Sequence, residues 1–120
     1  NENNLTKEIN EEIIPCNLQK KSGGAGITMN NHELGNISGV VKIAFDMREI
    51  PDKLEVFYEG ELVASTFEIP NHSDGFIGES IGSCCGLLSF KYEPKNDKYC
   101  TVKVTGNHNT EWSYGVGCPE

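Results

Sequence analysis

With 120 residues and a net charge of −8, the chain has room for one domain and offers no clustered basic surface. That balance argues against a partner gripped by its phosphate backbone, so no nucleic acid is expected, and against charge-driven docking on an anionic membrane. A hydrophobic fraction of 37% with 13 Gly and 5 Pro implies many turns and points to an all-β class.

Residues 1–15 are polar. Leu5, Ile9 and Ile13 are spaced by four, a spacing that allows one or two turns of amphipathic helix capped by Thr6, although so short a helix is marginal alone and the segment reads first as a tail. No apolar run reaches the about 18 residues of a membrane span. The start, NENNLTKEINEE, lacks the basic-then-apolar order of a secretory leader. Cys16 follows Pro15 outside any strand pattern, as the odd cysteine or as a clip tying the tail to the domain. KKSGGAG at 20–26 reads as a flexible boundary. The expected division is a tail or linker over 1–26 and a β-sandwich domain over 27–120.

From there the chain falls into short strands. Val41, Ile43, Phe45 and Met47 alternate with Val40, Lys42, Ala44 and Asp46 from Gly39 onward, and Pro51 breaks the run. Leu54, Val56 and Tyr58 make the next inward set. Glu59-Gly60 marks a tight hairpin turn into a strand over Leu62–Ile69, which Pro70 ends. Residues 71–86, NHSDGFIGESIGSCCG, have few periodic apolar positions and read as a long loop. Leu88, Phe90 and Tyr92 give another strand face before EPKND turns the chain. The closing stretch Tyr99–Pro119 reads as a hairpin: Cys100, Val102 and Val104 share one face, Trp112, Tyr114, Val116 and Cys118 another, with GNHNT as the turn. In phase with these neighbours, Trp112 belongs to a core rather than to a sugar-stacking platform. The expected fold is an all-β, antiparallel, jelly-roll-like β-sandwich of six to eight strands.

IPDKLEVFYEGELV, followed by a V-x-V-x-G strand and W-S-Y-x-V-x-C-P, resembles a small β-sandwich module of bacterial secreted and cell-envelope proteins. The resemblance covers about residues 36–119 and rests on Ile50, Pro51, Asp52, Tyr58, Glu59, Gly60, Trp112, Cys118 and Pro119. Such modules are similar to jelly-roll domains appended to secreted hydrolases and adhesins. The resemblance implies a two-layer fold and, by analogy alone, binding rather than catalysis.

Five cysteines point to an oxidising compartment with one or two disulfides, hence to a secreted, envelope or periplasmic protein; paired C-x-x-C zinc spacings are missing. Cys84, Cys85, Cys100 and Cys118 are the candidates. Either Cys100 joins Cys118 across the hairpin, or one of them joins Cys84 or Cys85 and staples the long loop, the second being the stronger on loop-ordering grounds. The turn acids Asp46, Glu49, Asp52, Asp74 and Glu79 could supply oxygens to a structural calcium ion, with Asp46, Asp52 and Asp74 as the ligand set, although solvated turn acids are the commoner case and no other cofactor is expected. His32, His72 and His108 fall in loop-like, Asn-rich segments. No P-loop, G-x-S-x-G, H-E-x-x-H or dinucleotide fingerprint occurs, which leans against an enzyme.

The expected function is therefore a non-catalytic extracellular or envelope binding module. It would recognise a protein or glycan through end loops 71–86 and 107–111, with His72, Asp74, Phe76, His108 and Asn109 as contact residues. Two alternatives of other classes stand beside it. One is a small secreted effector or toxin domain using Cys84 or Cys85 with a histidine; the other is an acidic inhibitor or immunity-type protein covering a basic partner.

Overall fold

Period-2 alternation makes the strands, and burying one face of each makes two layers. A computed structural model describes residues 13–17 and 21–120. Among them nine strands form: β1 (Ile13–Pro15), β2 (Lys21–Gly23), β3 (Gly26–Glu33), β4 (Gly39–Asp46), β5 (Asp52–Tyr58), β6 (Glu61–Ser65), β7 (Cys85–Tyr92), β8 (Tyr99–Gly106) and β9 (Trp112–Val116). One sheet, A, runs β1-β3-β8-β5-β6 and the other, B, runs β2-β9-β4-β7. Pairing is antiparallel throughout except between β1 and β3. The protein is an all-β sandwich. Among the described residues no helix is long and apolar enough to cross a membrane.

The inward sets fill one core. Sheet A contributes Leu54, Val56, Tyr58, Ala64, Cys100, Val102 and Val104; sheet B contributes Val41, Ile43, Phe45, Leu88, Phe90, Tyr92, Trp112, Tyr114 and Val116. Register stacks like against like: Leu54 lies opposite Val104, Val56 opposite Val102, and Ile43 between Leu88 and Val116. Trp112 and Tyr114 are each 1% exposed. The indole N–H donates to the Gly24 carbonyl, which satisfies its one polar atom. Glu59 and Gly60 both have positive φ, the geometry of a tight two-residue hairpin, and join β5 to β6 as their sequence implies.

Several expectations need correction. Tyr99–Pro119 is not a hairpin: β8 lies in sheet A and β9 in sheet B. Both edges of β8 are already taken, by β3 and β5, so β9 has nowhere to pair in that sheet. The connection arches across the layers, and both apolar faces still point inward. The stretch 20–26 is not simply a linker, because Lys21–Gly23 pairs with β9 and Ile13–Pro15 pairs with β3. The described parts of the expected tail thus belong to the sandwich, and add two strands to the seven found from β3 onward. Residues 5 and 9 of the proposed helix lie outside the described residues, while Ile13 is in a strand. β6 ends at Ser65 rather than Ile69. Ser65 accepts from the Phe67 N–H while Glu68 accepts from the Ser65 N–H, a capping box that starts a 3₁₀ turn over Thr66–Glu68. His32 is not in a loop: it lies on β3, opposite Cys100, and is 1% exposed.

Candidate functional site

Three connections meet at the end of the sandwich where β4 and β8 finish and β5, β7 and β9 begin. They are residues 47–51, 77–84 and 107–111. Backbone bonds weld the first two: Glu79 N–H donates to Arg48 O at 2.6 Å and Ser80 N–H to Glu49 O at 3.1 Å, while Asp52 and Ile77 exchange a pair at 2.9 and 3.0 Å. Gly78 permits this approach, since a Cβ there would come within 2.8 Å of Pro51 Cα. The third connection is tied to the first by side chains. Asn107 Nδ2 donates to Pro51 O at 2.7 Å, and Thr110 Oγ1 donates to Asp52 Oδ2 at 2.7 Å.

Asp52 is the keystone of this end. It is completely buried and also accepts from the Asn107 N–H at 3.3 Å. Burial pushes its carboxyl above the ordinary value, and the bonds from Thr110 and Asn107 pull the other way. With a raised folded value, its contribution to stability is full below the unfolded value and is lost as pH rises through the folded one. Asp52→Ala should cost about 2 kcal/mol by leaving Thr110 and Asn107 donors unpaired, and should speed amide exchange in 107–111. Asp52→Asn keeps an acceptor without the charge, so at neutral pH it should be as stable as the parent chain or more so. A large loss in Asp52→Asn, read by urea unfolding at pH 7, would count against this account.

Two shallow clefts open at this end. One, of about 230 Å³, is lined by Arg48, Glu49, Ile50, Asn109 and Glu111. The other, of about 340 Å³, is lined by Ser22, Gly23, Arg48, Glu111 and Trp112. Arg48, the only arginine of the chain, belongs to both. Its φ of 55° lies in the left-handed region, disfavoured for a residue with a Cβ. The turn persists because Asp46 Oδ1 accepts the Arg48 N–H at 2.9 Å. The guanidinium stands 3.7 Å from Glu111, with both side chains more than half exposed, so the pair is worth at most about 1 kcal/mol and yields readily to a ligand.

The cysteines pair otherwise than expected. Cys16 is bonded to Cys118 at the opposite end of the sandwich, where Asn17 N–H also donates to Val116 O and Cys118 N–H to Asn17 Oδ1. Cys84 is bonded to Cys85, its neighbour. Cys100 is free and fully buried, and burial pushes its thiol up to about 12. Neither expected pairing of Cys100 forms, because Cys100 faces the core from the middle of sheet A while its proposed partners lie on or beside the other sheet. Cys16 is thus the clip. The Cys84–Cys85 bridge closes almost no chain, so on loop-entropy grounds its worth to the whole fold is on the order of 1 kcal/mol. Its effect is local, at the rim of the loop end.

Compared with known proteins, the chain matches no family model, no curated protein and no solved structure. The site is defined by its geometry alone.

Of the residues expected to contact a ligand, Asn109 lines a cleft; its φ of 63° turns the arch over the 48–50 loop. His108 is exposed beside it. Asp74 is exposed, and its carboxylate accepts the Phe76 N–H in a local turn. Phe76 and Phe67 hold the Lys53 ammonium at 5.3 and 5.4 Å from their ring centres, so the Phe76 ring is already engaged. His72 sits in the same segment, where its carbonyl accepts the Gly75 N–H. His72, Asp74 and Phe76 therefore line neither cleft. The proposed cation set does not assemble: Asp52 is consumed by Thr110 and Asn107, Asp74 by its own turn, and Asp46 groups with Cys84 and Cys85 instead. Arg48, Ser22 and Gly23 lie outside the expected contact loops, and Glu111 lies in the expected 107–111 loop without being one of its named contacts. A lone arginine beside a strand-breaking E-I-P was the available signal; the three-residue strand that brings Ser22 and Gly23 leaves none.

Proposed function

We propose that the protein is a secreted or envelope-associated binding module that recognises a protein or glycan ligand through the end formed by residues 47–51, 77–84 and 107–111. One observation supports this above the others: the single arginine is held in a left-handed backbone at the meeting point of two clefts. Backbone strain of this kind gathers where a side chain is being presented. A planar guanidinium beside Asn109, Glu49 and Glu111 offers donors and acceptors for sugar hydroxyls or for a carboxylate-bearing peptide. The clefts match one sugar ring or one side chain in size, and the welded loops keep the ordering cost of binding small. The two disulfides fit an oxidising compartment.

A glycan array probed with the full chain, with hits repeated on Arg48→Ala and Asn109→Ala, tests the reading. Binding weakened about tenfold or more in both variants supports it; binding indifferent to both overturns it. The acidic-inhibitor reading draws on the net charge of −8 and the exposed Glu49, Glu79 and Glu111 at the same end. It expects a complex with a basic protein that dissociates as salt rises and tightens in Arg48→Ala. The effector reading needs a free thiolate, which Cys84 and Cys85 offer only after reduction.

A further inference from the structure

The vicinal pair has a third partner. Asp46 and Cys85 lie directly opposite each other across β4 and β7. Val41, Ile43 and Phe45 point into the core, which turns Asp46 to the outer face of sheet B. Its Oδ1 is 3.4 Å from Cys85 Sγ, and one carboxylate oxygen and the two sulfurs all lie within 4.8 Å of one another. Successive residues in a strand point to opposite faces. Cys84 escapes that rule because it precedes β7, at the end of a turn closed by Gly82 in the left-handed region.

We propose that reduction of the Cys84–Cys85 bridge creates a site for a thiophilic divalent cation, Zn²⁺ or Cd²⁺, with both sulfurs and the Asp46 carboxylate as ligands. A dithiol reductant supplies two electrons and two protons: the S–S bond breaks, two thiols form, and the reductant leaves as its own disulfide. The cation then displaces the two thiol protons, and its fourth position is left to water. Two adjacent thiolates alone make a poor site, and the cross-strand carboxylate is what completes this one. Two sulfurs and one oxygen favour a soft cation over calcium.

The frame survives reduction, because it does not depend on the bridge. Met47 N–H donates to Cys84 O at 2.8 Å, Ser83 N–H to Gly78 O at 3.2 Å, and β7 is laddered to β4 from Cys85 onward. Arg48 N–H keeps the Asp46 carboxylate in place. The other cysteines are separate: Cys100 is enclosed, and Cys16 and Cys118 are at the far end. The site does not depend on the binding role proposed for the loops.

The test is anaerobic titration of Cd²⁺ into the full chain, oxidised or reduced by dithiothreitol and then freed of it. Readouts are thiolate-to-cadmium absorbance and calorimetric stoichiometry, with circular dichroism to check each variant's fold. The oxidised chain should bind no Cd²⁺; the reduced chain should bind one at Cys84 and Cys85, besides any taken by Cys16 and Cys118, which the same reductant frees. Cys84→Ser/Cys85→Ser should remove one bound Cd²⁺ from the reduced chain, Asp46→Asn should weaken that one about tenfold or more, and Cys100→Ala should leave it unchanged. Equal binding by the oxidised chain, an unchanged stoichiometry in the double serine variant, or an unchanged affinity in Asp46→Asn would each overturn the proposal.

Discussion

Replacing Cys16 and Cys118 with serine should lower the unfolding free energy by about 4–5 kcal/mol, whereas replacing Cys84 and Cys85 should lower it by only about 1 kcal/mol. The two bridges share one chemistry and differ in what they enclose. Cys16 and Cys118 are 102 residues apart in sequence, so their bond removes much of the freedom of the unfolded chain; Cys84 and Cys85 are 1 apart. The long bridge also positions Asn17, whose N–H and side chain bond the end of β9. Urea unfolding of the two double variants under non-reducing conditions measures both numbers. Equal losses would mean that the pairing is not the one described.

Acid should destabilise the fold well before the carboxylates are all protonated. His32 Nε2 and the Tyr114 hydroxyl are hydrogen-bonded across 2.7 Å, while Asn30 Nδ2 donates to the same phenolic oxygen. This network joins β3 of one sheet to β9 of the other. Burial, helped by Lys21, lowers the folded value of His32 from 6.5 to about 4. The neutral ring is thus favoured in the fold. Its contribution is full above 6.5 and disappears as pH falls towards the folded value. The interval is worth about 3 kcal/mol at most, and solvent screening leaves about 2. His32→Gln keeps an acceptor for Tyr114 and cannot titrate. Between pH 6.5 and 4 its stability should fall by about 2 kcal/mol less than the parent's. Parallel pH profiles would remove His32 from this role.

The two layers were legible because β4, β5, β7, β8 and β9 each bury alternate apolar residues, a pattern that survives in sequence whatever each strand pairs with. Which sheet a strand joins leaves no such mark. Trp112 and Tyr114 were rightly placed in the core, yet the strand bearing them went to the wrong layer, since a five-residue connection serves a hairpin or an arch equally well. β1 and β2 are three residues each, too short for any period to show. β3 hid for a different reason: its inward face includes Thr28, Asn30 and His32, so its polar composition imitates a loop. Cysteine pairing depends on topology, and followed it into error. In the candidate site, Asn109 and the two end loops were visible from turn chemistry. Arg48 was not, because its one signal, a lone arginine beside E-I-P, says nothing of the left-handed backbone that presents it.

Among the described residues, strand β2 pairs only with β9, and Cys16 waits for Cys118. During synthesis, then, the first strand of sheet B lacks this neighbour until β9 has emerged from the ribosome. Val41, Ile43 and Phe45 must meanwhile remain incompletely covered. Truncation before β9 should consequently yield an aggregation-prone intermediate rather than a smaller folded protein, and an oxidase that acted early would find Cys16 without its proper mate.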